Sequence, residues 1–435
     1  MKNDVFARRR RRFYDAMGEG VALLFPAPEA SLGWDTHYRY RPDPDLFYLT
    51  GFGEPEAMAV LEADRRKLTL FVRKKDRERE TWEGRRAGPE GALKTFGADA
   101  AYPIADLPKR LPDLVRRSGV LWHAFGLDAS ADRTVADLLG RFRREARDPR
   151  RGPVTVKDPT AILHEMRLVK EPAEIAAMER SAGIAARAHR DAMALARPGL
   201  FEFELEAAIE RRFKKEGASG PSYASIVASG ENATILHYTE NRRRMSAGDL
   251  VLVDAGCEVD GYASDITRTF PVSGAFSRPQ KRVYDAVLAA QRAAIATIRP
   301  GVPYDAGHKA AREVLLDACL DMGLLRGRRS TLLAKNGAQR FCLHNVSHWL
   351  GLDVHDRGRY RDGKGRARKL EAGMVLTVEP GLYVRPDEKG VPKEYLGIGV
   401  RIEDDALVTA DGTRILTGGA PKEAREMVAA MGGRR

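Results

Sequence analysis

The sequence predicts two domains, a smaller α/β domain followed by a pseudo-symmetric α+β domain made of two similar halves. Three observations lead there. The chain has 435 residues, long for a single hydrophobic core. A breaker-rich connection between residues 148 and 160, carrying Pro149, Gly152, Pro153 and Pro159, separates two regions of different pattern. Beyond it, AGDLVLVDAG at 247–256 recurs as AGMVLTVEPG at 372–381, which aligns Asp254 with Glu379.

In the first region, short apolar runs at 21–25, 57–62, 67–72 and 119–124 read as strands, and 132–146 reads as a helix. Nothing there has the composition of a catalytic centre, so an architectural or substrate-gating role is expected. A long helix then begins at Pro172, whose missing N–H suits the first turn, and ends before Pro198-Gly199. A second echo supports the repeat: RPGLFEFELEAAI from Arg197 and RPGVPYDAGHKAA from Arg299 each set Arg-Pro-Gly ahead of a helical pattern. Each half therefore reads as helix, helix, strands, and two carboxylates on equivalent apolar strands face each other across a natural cleft.

Hydrophobic residues at 43% and charged residues at 31% are globular proportions. No stretch reaches the roughly 18 consecutive apolar residues of a membrane helix, and the opening segment lacks the apolar core of a signal peptide, so a cytoplasmic location and no membrane partner are expected. Three cysteines, Cys257, Cys319 and Cys342, fit a reducing compartment rather than a disulfide framework. The net charge of +12 is mostly scattered arginine. Its two dense runs, 8–12 and 357–369, read as solvated surface, with nucleic-acid binding the weaker alternative.

The chemistry lies in the second region. Residues 250–257 form an apolar strand, Asp260-Gly261 is a two-residue hairpin signal, and 262–270 return as the partner strand. That turn pairs Val259 with Tyr262 and sets Gly256 opposite Asp265. Asp254 then shares the face of Asp265 as its diagonal neighbour, about 7 to 8 Å away at the backbone. Two bare anions there would repel, and an ionised acid in an apolar strand is costly unless paired or bound to metal. Glu379 in MVLTVEPG repeats the problem, and Glu403 in GIGVRIEDD adds a fourth acid on an alternating strand, with Arg401 on its face as a salt-bridge or substrate partner. Each acid alone is most simply a strand-end or turn carboxylate; together they call for cations. Four carboxylates and a histidine form a hard donor set suited to Mn²⁺ or Mg²⁺ and tolerant of Co²⁺, Fe²⁺ or Zn²⁺. So many acids suit two metals rather than one, an arrangement that activates water and polarises a carbonyl. His344, His348 and His355 in FCLHNVSHWLGLDVHD, and His237 in ILHYTEN, are the candidates for ligand, hydrogen-bond and proton-shuttle roles.

ILHYTEN, LVLVDAGCEVDGYASDITRTFPV, HNVSHWLGLDVHD, MVLTVEPGLY and GIGVRIEDD together resemble the pita-bread metallopeptidases, specifically bacterial aminopeptidase P, over the whole chain. HEMRLVK at 164–170 resembles the start of that family's catalytic domain, implying a creatinase-like N-terminal domain at 1–168 and a pita-bread catalytic domain at 169–435. The resemblance implies Asp254, Asp265, His348, Glu379 and Glu403 as ligands of two metal ions, typically manganese, with Asp265 and Glu403 shared between them. It implies that Glu379 doubles as general base and that His237 and His355 stabilise the reacting centre. His344, Tyr383 and Arg401 would line the substrate site, and Trp82 in ETWEGRR resembles a position that reaches a neighbouring subunit's site in a homodimer or homotetramer. One departure is Asn345, where the family often has glycine.

The expected activity is removal of the first residue from peptides with proline second. A prolidase limited to Xaa-Pro dipeptides shares the ligand set, while a non-catalytic module using the basic surface would not need it.

Overall fold

The computed structural model describes residues 3–145 and 152–432. Ala146, the last residue of the expected first-region helix, and the 148–151 part of the breaker-rich connection, Pro149 included, lie outside the described residues. The chain divides into two compact units, Met1–Arg167 and Leu168–Arg435.

The first unit is a six-stranded mixed sheet of β1 Val21–Leu24, β2 Met58–Glu62, β3 Lys67–Val72, β4 Ala100–Pro103, β5 Val120–Trp122 and β6 Thr155–Lys157. The spatial order is β4-β3-β2-β1-β5-β6. The helices Leu107–Val115 and Ala129–Arg144 bury Leu111, Val115, Val135, Leu138 and Phe142 against Val21, Leu23, Met58, Val60 and Leu121 of the strands. One expectation needs correcting here. The arginine run 8–12 is not wholly solvated, because Arg9 and Arg10 are buried on the helix Asn3–Met17. Arg9 donates to the Tyr48 carbonyl at 3.2 Å and Arg10 to that of Leu49 at 3.0 Å. Both lie on the face that carries Val5, Phe6 and Phe13 inward, so helical periodicity overrides the like-charge run. The 357–369 run is largely exposed, as expected.

The second unit realises the repeat. Helices Pro172–Leu195 and Glu202–Lys215 precede the first set of strands, and Arg278–Ile295 and Ala306–Asp321 precede the second. Between the members of each pair lies the Arg-Pro-Gly echo, with Gly199 at φ 92° and Gly301 at φ 82°, left-handed turns that favour glycine. The first half contributes β7 Ile226–Ser229, β8 Leu250–Asp254, β9 Glu258–Val259, β10 Tyr262–Ala263 and β11 Thr267–Pro271. The second contributes β12 Val375–Val378, β13 Gly381–Val384, β14 Ile398–Arg401, β15 Asp404–Val408 and β16 Thr413–Ile415. In both halves one antiparallel pair, β9-β10 or β13-β14, continues another, β8-β11 or β12-β15. The core fills the space between these strands and the helix pairs, with Trp349, Phe213, Phe270, Tyr284 and Phe341 among its largest members.

The hairpin register holds along its whole length. Tyr262 pairs with Val259, Ala263 with Glu258 and Thr267 with Asp254. Asp260 at φ 51° and Gly261 at φ 84° supply the two positive dihedrals the turn requires. Asp265 is therefore opposite Gly256 and diagonal to Asp254. In the second half, Val378 opposite Asp404 and Gly381 opposite Arg401 leave Glu379 facing Glu403 across the gap. Glu403 thus does not sit on one continuous alternating strand. The chain breaks at residues 402–403, where it leaves the β13-β14 pair for the β12-β15 pair.

Candidate active site

The two gaps in the strand ladders bring the acids together. Asp254 ends β8, Asp265 lies between β10 and β11, Glu379 follows β12, and Glu403 lies between β14 and β15. His348 comes from an irregular segment pinned to β12, because its N–H donates to Thr377 Oγ1 at 3.1 Å and its carbonyl accepts from Thr377 N–H at 2.9 Å. Its Nε2 is 3.5 Å from Asp265 Oδ2 and 3.5 Å from Glu379 Oε1. Asp265, His348 and Glu403 each offer a ligand atom, and these atoms all lie within 4.8 Å of one another. Ligands on opposite sides of a small divalent ion are separated by roughly that distance, since each bond is about 2.1 Å.

The site is buried and electrostatically frustrated without a cation. Burial, then Asp254, holds the Asp265 carboxyl well above its ordinary range. Burial, then Asp265, does the same for Glu403. Burial and Glu403 push the Glu379 carboxyl up to about 8. Hydrogen bonds meet only part of this demand. Tyr223 donates one hydroxyl to the Asp254–Asp265 pair, at 2.6 Å to Asp254 Oδ1. Thr267 donates to Glu403 Oε2 at 2.7 Å, and Arg401 reaches Asp254 Oδ2 at 2.6 Å.

The histidine tautomers are informative. His348 Nδ1 lies 3.0 Å from the Trp349 carbonyl, which can only accept. Nδ1 therefore donates there, which turns Nε2 toward the two carboxylates. An imidazole nitrogen converging with carboxylate oxygens is the donor set of a cation site, and the residues fit a divalent metal. His344 follows the same logic. Its Nδ1 donates to the Asn345 carbonyl at 2.8 Å, so Nε2 accepts from the Tyr383 hydroxyl at 2.8 Å, which accepts in turn from Arg401 at 2.9 Å. Burial and the Arg401 charge hold His344 down at about 4, so this relay stays neutral at its imidazole. Asn345 is exposed and has no positive φ, so the family's glycine is not needed here for its backbone freedom.

His355 packs edge-on against His348 with ring centroids 4.3 Å apart. Burial, then the neighbouring His348 charge, lowers its pKa. His237 is exposed on the segment between β7 and β8, near enough for its charge to bear on both His344 and His355. Trp82 is exposed on the helix Arg77–Glu83 of the first unit.

Sequence reasoning missed Tyr223, Thr267, Thr377 and Asp405, whose carboxylate accepts the Asp265 N–H at 3.1 Å. Thr267 was within reach of the register argument, since it stands opposite Asp254. Beneath them, Asp404 is neutralised by Arg268 at 2.7 Å and Lys422 at 2.6 Å, a buried ion cluster that fixes the start of β15.

Residues 176–410 match metallopeptidase family M24, and residues 6–122 match the aminopeptidase P N-terminal domain. The chain belongs to metallopeptidase family M24. The chain is 44% identical to a Xaa-Pro aminopeptidase of Escherichia coli (strain K12) over 98% of this chain and 97% of that one. It is 41% identical to a Xaa-Pro aminopeptidase of Haemophilus influenzae over 97% and 95%. Among solved structures, an aminopeptidase of Pseudomonas aeruginosa superposes with a TM-score of 0.98 at 44% identity, covering 100% of this chain and 99% of that one. The aminopeptidase P of E. coli bound to the inhibitor Pro-Leu superposes at 0.96 with 43% identity, covering 100% and 99%. As a member of family M24 with a pita-bread domain behind an aminopeptidase P-type N-terminal domain, the chain is a metal-dependent hydrolase.

Proposed function

We propose that the chain is a dinuclear aminopeptidase that removes the N-terminal residue from peptides with proline second, and that manganese is its working metal. The observation that carries the reading is His348 Nε2 facing Asp265 and Glu379, with Asp265, His348 and Glu403 converging on one point. Asp254, Asp265, His348, Glu379 and Glu403 would hold the two ions, with Asp265 and Glu403 shared. Bound divalent ions supply Lewis acidity toward the scissile carbonyl and lower the pKa of water.

The protein's own groups do the rest. Glu379 would accept the proton of the attacking water, a general-base role open to a carboxylate beside the reacting centre. His237 and His355 stand beside the cluster to donate hydrogen bonds to the developing oxyanion. Arg401 is held by Tyr383 and Asp254, and its fixed positive charge orients Asp254 while lining the pocket with His344. Trp82, fully exposed in one copy, would close over the site of a neighbouring copy in a homodimer or homotetramer. The absence of a membrane-length apolar helix among the described residues supports a cytoplasmic location.

Purified protein loaded with manganese and given Xaa-Pro and Xaa-Pro-Yaa substrates tests the specificity. Release of the first residue from the tripeptide is expected. Cleavage confined to the dipeptide would make the enzyme a prolidase, and failure to cleave either would overturn the reading.

A further inference from the structure

The segment from residue 230 to residue 242 is a strap between β7 and β8 with one 3-10 turn, Gly230–Thr234, as its regular structure. It carries His237 at an exposed position beside the metal-ligating group, and its Leu236 carbonyl accepts from Arg401 at 3.5 Å. A loop this long does not hold a side chain in place by itself, because its ordering costs conformational entropy that some contact must offset.

The contact is Glu202, at the start of the helix Glu202–Lys215, with 0% of its surface exposed. Its carboxylate gathers five hydrogen bonds, all from the strap and its two ends. Oε1 accepts from Ser229 N–H at 2.7 Å, Ser229 Oγ at 2.7 Å and Asn232 Nδ2 at 3.3 Å. Oε2 accepts from Tyr238 OH at 2.9 Å and Arg243 N–H at 2.8 Å. The Glu202 N–H completes the clasp by donating to the Arg243 carbonyl at 3.0 Å. Ser229 is where the strap leaves β7, Arg243 is where it returns, and Tyr238 is the residue next to His237. Tyr238 also packs with Leu252 and Tyr383, which ties the strap to the wall of the site.

From this geometry we infer that Glu202 is a positioning residue for hydrolysis, acting through His237 by fixing the strap that presents it. The inference rests on the peptidase reading above. A glutamine cannot replace the acid, since a carboxamide has one accepting oxygen and sets an NH₂ donor against either the Ser229 or the Arg243 N–H.

A double-mutant cycle on the manganese-loaded full chain tests it, with wild type, E202Q, H237A and E202Q/H237A compared for kcat, KM and metal content on a Xaa-Pro-Yaa peptide. E202Q is expected to lower kcat about 10- to 100-fold with metal content unchanged. In the H237A background the same change should cost less than about 2-fold, because the group it positions is gone. An equal loss in both backgrounds, or wild-type kcat in E202Q, would overturn the inference. If E202Q does not fold, Y238F, which removes one of the five bonds, enters the same cycle under the same criterion. Hydrogen exchange of residues 230–242 reads the strap without turnover: E202Q or Y238F should speed exchange there about 10-fold, and unchanged exchange counts against the role. A wild type that binds manganese but cleaves no peptide would sink the peptidase reading instead, leaving the exchange result to decide the clasp.

Discussion

Single side chains decide whether the acids of this site can coexist. Tyr223 gives one hydroxyl proton to be shared by Asp254 and Asp265, the closest thing to a counter-charge that pair has apart from Arg401. Tyr223→Phe should leave the fold intact, because the ring remains, and should weaken divalent-metal affinity about 10- to 100-fold, as loss of a ligand-orienting partner typically does. Calorimetric titration of manganese into chelator-treated protein measures this, and wild-type affinity would contradict it. The four acids that the structure brings together were legible in the sequence because an acid in an apolar strand is conspicuous. Tyr223 was not, since it meets its partners across 31 and 42 residues and no local spacing marks a hydroxyl that reaches so far. Arg9 and Arg10 were misjudged for a related reason: a run of like charge hides the helical face on which two of its members turn inward.

Among the elements, the β9-β10 hairpin is the part most completely written in the sequence. A two-residue turn fixes register, and register fixes faces, so the relation of Asp254 to Asp265 followed from Asp260-Gly261 alone. The same register sets Gly256 against the strand it faces, where a Cβ would come within 1.7 Å of the Ser264 carbonyl oxygen. Gly256→Ala must therefore push the ladder apart next to Asp265. A loss of about 1–3 kcal/mol is expected from such overpacking, together with reduced metal content, measured by the denaturant midpoint and metal analysis. Wild-type values for both would show that the close approach is not needed. The break before β15 was illegible because it arises where the chain changes sheets, and that depends on which strands lie beside it. Alternation in GIGVRIEDD predicts one strand, whereas the two hairpin ladders pull residues 401 and 404 in different directions.

For the molecule as a whole, four acids in one buried group make stability depend on pH and on metal together. A carboxyl whose folded pKa lies above its unfolded value binds more protons when folded, so stability falls as pH rises. For Glu379 that window runs from the ordinary 4.5 to about 8, and Asp265 and Glu403 are displaced in the same direction. The Tm of metal-free protein should therefore drop between about pH 5 and about pH 8. Manganese-loaded protein should drop far less, because bound cations replace the protons and add the stabilisation of any ligand that prefers the folded state. A metal-free Tm that is flat or rises across that range would contradict the electrostatic account. The two-domain order and the internal repeat were visible in the sequence, the first through chain length and a breaker-rich connection and the second through recurring motifs. What was not visible was how the halves lock together, through Thr267 and Glu403 and through Arg268 and Asp404, because those contacts join residues more than a hundred positions apart.

The central claim is that Asp254, Asp265, His348, Glu379 and Glu403 hold two metal ions that the hydrolysis requires. Elemental analysis of wild type and Asp265→Ala, both folded by circular dichroism and dialysed against the same manganese buffer, tests it most directly. The account predicts two ions per wild-type chain, and near-zero metal and no peptide cleavage in the variant; a variant that keeps wild-type metal content and activity would contradict it.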